Sequence, residues 1–338
     1  MYKELLNLLT HNWIWTIFTL AFVMYLLNFA TWKLEENLSI IWKKIKIPTS
    51  VRWATFDAIS SSLPEFLTAL IWLMLLKEKW LEVWIWTISG SAIFNILIIP
   101  FFAIMFFSWK KIIVEKSWIK RDSIFYILSI FIFLTWVFLS QLFIMWLILV
   151  WLYLIYIFVL YKQSLRNKQQ NALQVEKEFL SVKDKKINYL MIFISLILIY
   201  IWVELSVLSA DFIGKQLWIS TLVMSLILLA WITSIPDTML SVKASQKWDI
   251  DASLSNAVWS NIFDICIWLW VPILIWIWIM WLHPQVEFSS QIPVFWFLIL
   301  SVIVYFLLLN LKNIWKKHSY ILIFLYLIFI SYLIFISI

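Results

Sequence analysis

The chain has 338 residues, 64% of them hydrophobic and only 13% charged, and it carries a net charge of +7. That balance excludes a soluble globular domain and indicates a polytopic helical membrane protein, because the apolar residues fall in runs long enough to cross a bilayer. A single cysteine, Cys266, excludes an intrachain disulfide.

Ten hydrophobic spans are expected, near 13–31 (continuing towards 42), 53–76, 83–107, 123–140, 142–161, 187–210, 217–242, 253–281, 291–311 and 319–337. The first apolar run lacks a small-residue cleavage site, so it reads as a span rather than a signal peptide. Lys and Arg fall on one side: 22 of the 26 lie after spans 1, 3, 5, 7 and 9. The other four are Lys3, Lys77, Lys79 and Lys215. The positive-inside rule then puts both termini outside the cell and the 161–186 loop in the cytoplasm. That loop is the one sizeable polar segment and is expected to be a solvated linker, with contact to anionic lipid as the alternative. The division is a first half over 1–162, a linker over 163–186 and a second half over 187–338.

Two stretches break the apolar pattern with polar groups at membrane depth. In the first, 54–100, ATFDAISSSLPE is followed by GSAIFN. In the second, 229–272, TSIPD is followed by WSNIFD. Glu65 and Asp237 are 172 residues apart, and Asn95 and Asp264 are 169 apart. The stretches are an internal repeat. With five spans per period the second copy enters the membrane inverted, an arrangement found in secondary transporters.

Each copy sets a carboxylate one residue after a helix-breaking proline, among hydroxyls. Ionisable groups at this depth are costly and mark function, and freed carbonyls are tolerated where they line a cavity. Ser62 and Glu65 share a helix face, as do Ser91 and Asn95, and the second copy repeats both spacings with Ser234–Asp237 and Ser260–Asp264. Carboxylate, hydroxyl, amide and carbonyl oxygens are the ligands that hard cations take, calcium roughly 6–8 of them. Asp57 has no acidic counterpart in the second copy, where Leu229 stands. It reads as an ion-pair partner of Arg52, or else as an extra cation ligand. Glu35 and Glu36 are expected to pair with Lys33 and with Lys43–Lys44.

These paired motifs resemble the sodium/calcium exchanger family of cation/calcium antiporters, most closely its potassium-dependent branch. The resemblance implies two inverted five-helix repeats in an all-α membrane protein, alternating access, and exchange of sodium for calcium across the cell membrane, with potassium co-transport as a further expectation. It implies no permanently bound cofactor, no nucleic acid and no enzyme activity; the partners are the transported ions and the bilayer. By the same resemblance Glu65 and Asp237 are the central calcium ligands. Ser61, Ser62, Ser91, Asn95, Thr233, Ser234, Ser260 and Asp264 line flanking sodium sites. The sequence departs from the family at Ser60 and Ile232, where the motif usually has glycine.

Proton/calcium exchange is the main alternative. An intramembrane aspartyl protease also uses two membrane aspartates, but its GxGD-type motif is absent, and a channel fits paired deep motifs less well than alternating access.

The chain has 26 Trp and 2 Gly, where an average composition of roughly 7% Gly would give about two dozen. Trp stands where the family pattern has Gly at Trp53, Trp248, Trp259, Trp268 and Trp270. We read many of these as glycine in the natural protein, from a gene whose organism decodes UGA as glycine; a genuinely Trp-rich membrane protein is the alternative.

Overall fold

The computed structural model describes residues 13–76, 80–107, 111–139, 142–166, 168–280 and 292–337. Lys3, Lys77 and Lys79, used above for sidedness, lie outside them. The protein is an all-α membrane protein in which, among the described residues, one small sheet pairs Lys111–Ile112 with Ile314–Trp315 antiparallel. Among the described residues seven helices are long and apolar enough to cross a membrane. A further pair, Ser225–Thr233 and Ile235–Gln246, is bent by 48° and makes an eighth if the two halves form one span. Two further helical segments fall at expected spans: the broken run from Thr49 to Leu76, and Lys116–Leu139.

Trp13–Lys44 is longer than a bilayer needs, and it packs along Tyr189–Leu217, so the leading helices of the two halves lie side by side. The motif helices form the centre. Leu81–Phe106 and Ile250–Ile275 are 83% and 72% buried over their apolar windows, against 22% for Ile144–Leu165, which turns its apolar side outward. Small residues at the crossing set the approach. A Cβ added to Gly90 would stand 2.4 Å from the Leu226 carbonyl oxygen, so this contact admits no side chain.

The repeat is visible in the backbone. Each proline helix is preceded by a π-helical turn, Trp53–Asp57 in the first copy and Ser225–Leu229 in the second, 172 residues apart. Each then breaks at a serine with the same dihedrals, Ser62 at φ −89°, ψ 7° and Ser234 at φ −84°, ψ 2°. The break has a local cause. Pro64 and Pro236 lack the N–H and crowd the preceding turn, so each begins a new helix at its second position. A third π turn, Asp264–Trp268, has no counterpart in Trp80–Phe106, which runs on through Pro100.

The basic loops meet on one face. The 111–112 and 314–315 strands join the loops after spans 3 and 9. Lys44 donates to the Lys185 carbonyl at 2.8 Å, joining those after spans 1 and 5. Asp251 accepts from the Glu115 backbone N–H and the Trp118 indole, joining those around spans 3 and 7.

The polar loop stays largely exposed, as a solvated linker would, and also carries a helix and ion pairs. Lys168–Val182 is a helix, and it is docked rather than free. Glu176 pairs with Lys46 at 2.8 Å, whose ammonium also sits 4.2 Å over the Phe179 ring. Glu178 pairs with Arg52 and accepts from Thr49.

Candidate cation site

The two breaks bring Ser62 and Ser234, with their following carboxylates, onto the two buried motif helices. Glu65 and Asp237 are fully buried, as are Ser62, Ser91, Asn95, Thr233 and Ser234; Ser61, Ser260 and Asp264 are within 3% of it. All ten expected residues therefore lie in one buried region.

Their contacts obey a two-fold exchange. Ser62 of the first copy meets Ser260 of the second at 2.9 Å, and Ser234 of the second meets Ser91 of the first at 2.9 Å. Ser260 donates to the Asp237 carboxylate at 2.7 Å. The matching contact, Ser91 to Glu65, is longer at 3.4 Å, and Ser234 reaches the same Glu65 oxygen at 3.4 Å. Ser61 and Thr233, also counterparts, each donate to their own helix, to the Asp57 carbonyl at 3.1 Å and the Leu229 carbonyl at 2.9 Å. That is the usual habit of a membrane-helix hydroxyl. Their oxygens keep lone pairs and lie beside the opposite copy's carboxylate, Ser61 by Asp237 and Thr233 by Glu65.

Among the described residues, four buried oxygens in this region have no hydrogen-bond partner: Glu65 Oε2, Asn95 Oδ1, Asp237 Oδ1 and Asp264 Oδ1. Buried acceptors are ordinarily satisfied, so each orphan needs a physical cause. Two come from each copy, and every one is an acceptor. Among the described residues no three His, Cys, Asp or Glu side chains gather about one metal position. The donors are instead carboxylates interleaved with neutral oxygens, a set suited to cations that enter and leave.

Asn261, Tyr126 and Asn256 join the site without being marked by the repeat. Asn261 links Asn95 to Tyr126, and Asn256 donates to Ser241 at 3.0 Å while leaning on the Asp237 carbonyl at 3.4 Å. Asn261 lies inside the WSNIFD motif, but its counterpart is Ala92, so matching across the repeat passes over it.

Asp57 pairs with Arg52 at 3.3 Å, as expected of the ion-pair reading. Glu36 pairs with Lys33 at 3.0 Å. Glu35 makes no such pair and instead lines a cavity of about 430 Å³ with Thr31, Lys43, Arg52, Asp57 and Lys243. The cavity also touches Pro236, one residue from Asp237, and lies on the side where the basic loops meet. Cys266 is fully buried, as a packing residue would be.

The sequence profile described as "Sodium/calcium exchanger protein" matches residues 11–164 and 187–335. Human sodium/potassium/calcium exchanger 3 is 37% identical over 95 residues, 28% of this chain and 14% of that protein. Human sodium/potassium/calcium exchanger 5 is 42% identical over 80 residues, 23% of this chain and 16% of that protein. The matches thus span about one seventh of these relatives' length. Among solved structures, the H+/Ca2+ exchanger CAX is similar with a TM-score of 0.69 at 13% identity, covering 99% of this chain and 91% of that one. The sodium-calcium exchanger NCX_Mj is similar with a TM-score of 0.61 at 23% identity, covering 94% and 97%. At these identities the structural likeness speaks for the fold.

Proposed function

The chain belongs to the sodium/calcium exchanger protein family, and from that premise we propose that it is a secondary antiporter exchanging sodium for calcium by alternating access. The observation that carries this is the set of four unpartnered oxygens, Glu65 Oε2, Asn95 Oδ1, Asp237 Oδ1 and Asp264 Oδ1, buried among the reciprocal serine pairs. Glu65 and Asp237 take calcium between them. Ser61, Ser62, Ser91, Asn95, Thr233, Ser234, Ser260 and Asp264 supply oxygens to calcium and to flanking sodium sites.

Exchange follows from electrostatics. Two bare carboxylates in a low dielectric repel each other strongly, so the empty site is unfavourable and crosses the membrane poorly. Calcium relieves the repulsion, and so do sodium ions, so the reorienting forms are the loaded ones. Asp264 adds a third carboxylate on one side only, which gives potassium a place as a co-transported ion. In this reading the halves 1–162 and 187–338 move about the site, the 163–186 segment links them in the cytoplasm, and both termini lie outside the cell membrane.

The test is calcium uptake into vesicles holding the purified protein, under an outward sodium gradient and, separately, under a pH gradient. Uptake that follows sodium is expected. Uptake that follows only the pH gradient replaces this reading with proton/calcium exchange.

A further inference from the structure

The two flanking half-sites are not chemically alike. Asn95 and Asp264 are counterparts, but only Asn95 is held by a neighbouring amide, whereas Asp264 lies beside the Ser62 hydroxyl. Asn261 donates from Nδ2 to the Ala92 carbonyl at 3.0 Å and to the Tyr126 hydroxyl at 2.8 Å. Its Oδ1 accepts from Asn95 Nδ2 at 3.0 Å. Asn95, Asn261 and Tyr126 are all at most 1% exposed, so no solvent competes for these groups.

The chain of contacts settles which way each amide faces. A backbone carbonyl can only accept, so Ala92 requires the NH2 end of Asn261. Turning Asn261 over would set its oxygen against the Ala92 oxygen and its NH2 against the NH2 of Asn95. With Asn261 fixed, its oxygen holds the NH2 end of Asn95. The remaining atom, Asn95 Oδ1, then has no protein partner. On the other side the residue matching Asn261 is Ala92 itself, which has no amide, and Asp264 keeps an unpartnered oxygen that needs no orientation, because both ends of a carboxylate are oxygens.

We propose that Asn261 is a positioning residue for cation binding: it keeps the oxygen of Asn95, rather than its NH2, turned to the ion. The inference rests on the antiport reading above. Outer partners of this kind typically govern affinity by about 10–100-fold.

The experiment is a double-mutant cycle on vesicle calcium uptake, titrated with sodium. Asn261→Ala frees Asn95 to present its NH2 end. It is expected to raise the half-saturating sodium concentration about tenfold, with the maximal rate recovered at saturating sodium. Asn95→Ala removes the oriented oxygen. In that background Asn261→Ala is expected to change nothing further, because its effect passes through Asn95. Tyr126→Phe, which leaves the Ala92 and Asn95 contacts in place, is expected to shift the value by no more than about twofold. Should Asn261→Ala fail to insert, Asn261→Ser takes its place. Its hydroxyl can serve the Ala92 carbonyl but is too short to hold Asn95.

Additive effects in the cycle overturn the proposal. So does a lost maximal rate that excess sodium does not restore, or an unchanged sodium dependence in Asn261→Ala. A wild type that responds to a pH gradient alone fails the sodium-coupled reading instead, and the cycle is then read on half-saturating calcium, where the same non-additivity is expected.

Discussion

Ser62 Oγ lies 2.9 Å from Ser260 Oγ, a contact between residues 198 apart in sequence and drawn from opposite copies of the repeat. Its counterpart joins Ser91 and Ser234 at the same distance. Each pair leads to one carboxylate, Ser260 to Asp237 and Ser91 to Glu65. Glu65→Gln and Asp237→Asn should each abolish calcium flux in vesicles while leaving the protein inserted, because each removes a charge that the proposed calcium site relies on. Ser260→Ala should weaken calcium binding more than Ser91→Ala, since its bond is 2.7 Å against 3.4 Å. Normal transport by either carboxylate variant refutes the assignment.

In the proposed exchange, Asp264 is the group that would hold potassium. If Glu65 and Asp237 balance one calcium, as proposed, the third carboxylate is left over, and its Oδ1 has no partner among the described residues. A buried lone carboxylate takes up a proton or a cation. If it holds potassium, calcium uptake into sodium-loaded vesicles should rise with external potassium, and Asp264→Asn should remove that stimulation. Wild-type flux indifferent to potassium would leave Asp264 as a protonated hydrogen-bond donor in a sodium-only site.

Arg52 ties the linker helix to the helix that carries the first motif. Its guanidinium is almost fully buried and pairs with both Asp57 and Glu178. Asp57 closes the π turn from which Ser61 hangs. Arg52→Ala leaves a buried carboxylate unpaired and should cost about 3–5 kcal/mol, read as a lower unfolding temperature in detergent. Glu178→Gln should cost much less, because Glu178 is partly exposed and its amide still accepts from Arg52. An unfolding temperature unchanged in Arg52→Ala means that the pairs are not formed.

How much of the site is legible in the sequence depends on how local each signal is. Glu65, Asp237 and their hydroxyls announce themselves, because polar groups at helical spacing inside an apolar run are costly to bury and seldom stand there without a function. The repeat offsets match the two copies, and Asp57 pairs with the cation in its own neighbourhood. The π turns at Trp53–Asp57 and Ser225–Leu229 leave no mark in the sequence, since an i→i+5 bond has no residue code. Asn261 escapes a reading by motif because its partners, Asn95 and Tyr126, are 166 and 135 residues away. The linker reads as solvated from its charge alone. In the folded chain Glu176 and Glu178 use that charge on Lys46 and Arg52, a pairing that composition does not reveal.

The tryptophans give the last prediction. Trp218 and Trp248 have φ of 60° and 70°, the left-handed conformation that follows many helix ends. Trp218 caps Tyr189–Leu217, and Trp248 follows the end of Ile235–Gln246. Glycine is the usual residue there, and a residue with a Cβ loses roughly 1–2 kcal/mol. Trp42, Trp72, Trp86 and Trp268 each bury an indole N–H without a partner, at a further cost of about 1–3 kcal/mol apiece. Gly90 sits where no side chain fits, yet its counterpart is Trp259, whose indole is turned aside to Asp122. Other tryptophans are well served, such as Trp118 on Asp251 and Trp231 on Tyr326. If UGA is read as glycine in the source organism, the natural chain carries glycine at the ill-fitting positions, Trp248 and Trp268 first among them. Peptide mass spectrometry of the natively produced protein, covering Lys243–Asp251 and Phe263–Pro272, should then find glycine at 248 and 268, and the intact mass should fall below the 40.7 kDa of the chain with all its indoles. In the protein made with tryptophan throughout, Trp248→Gly should raise the unfolding temperature. Native peptides with tryptophan at both positions end the idea.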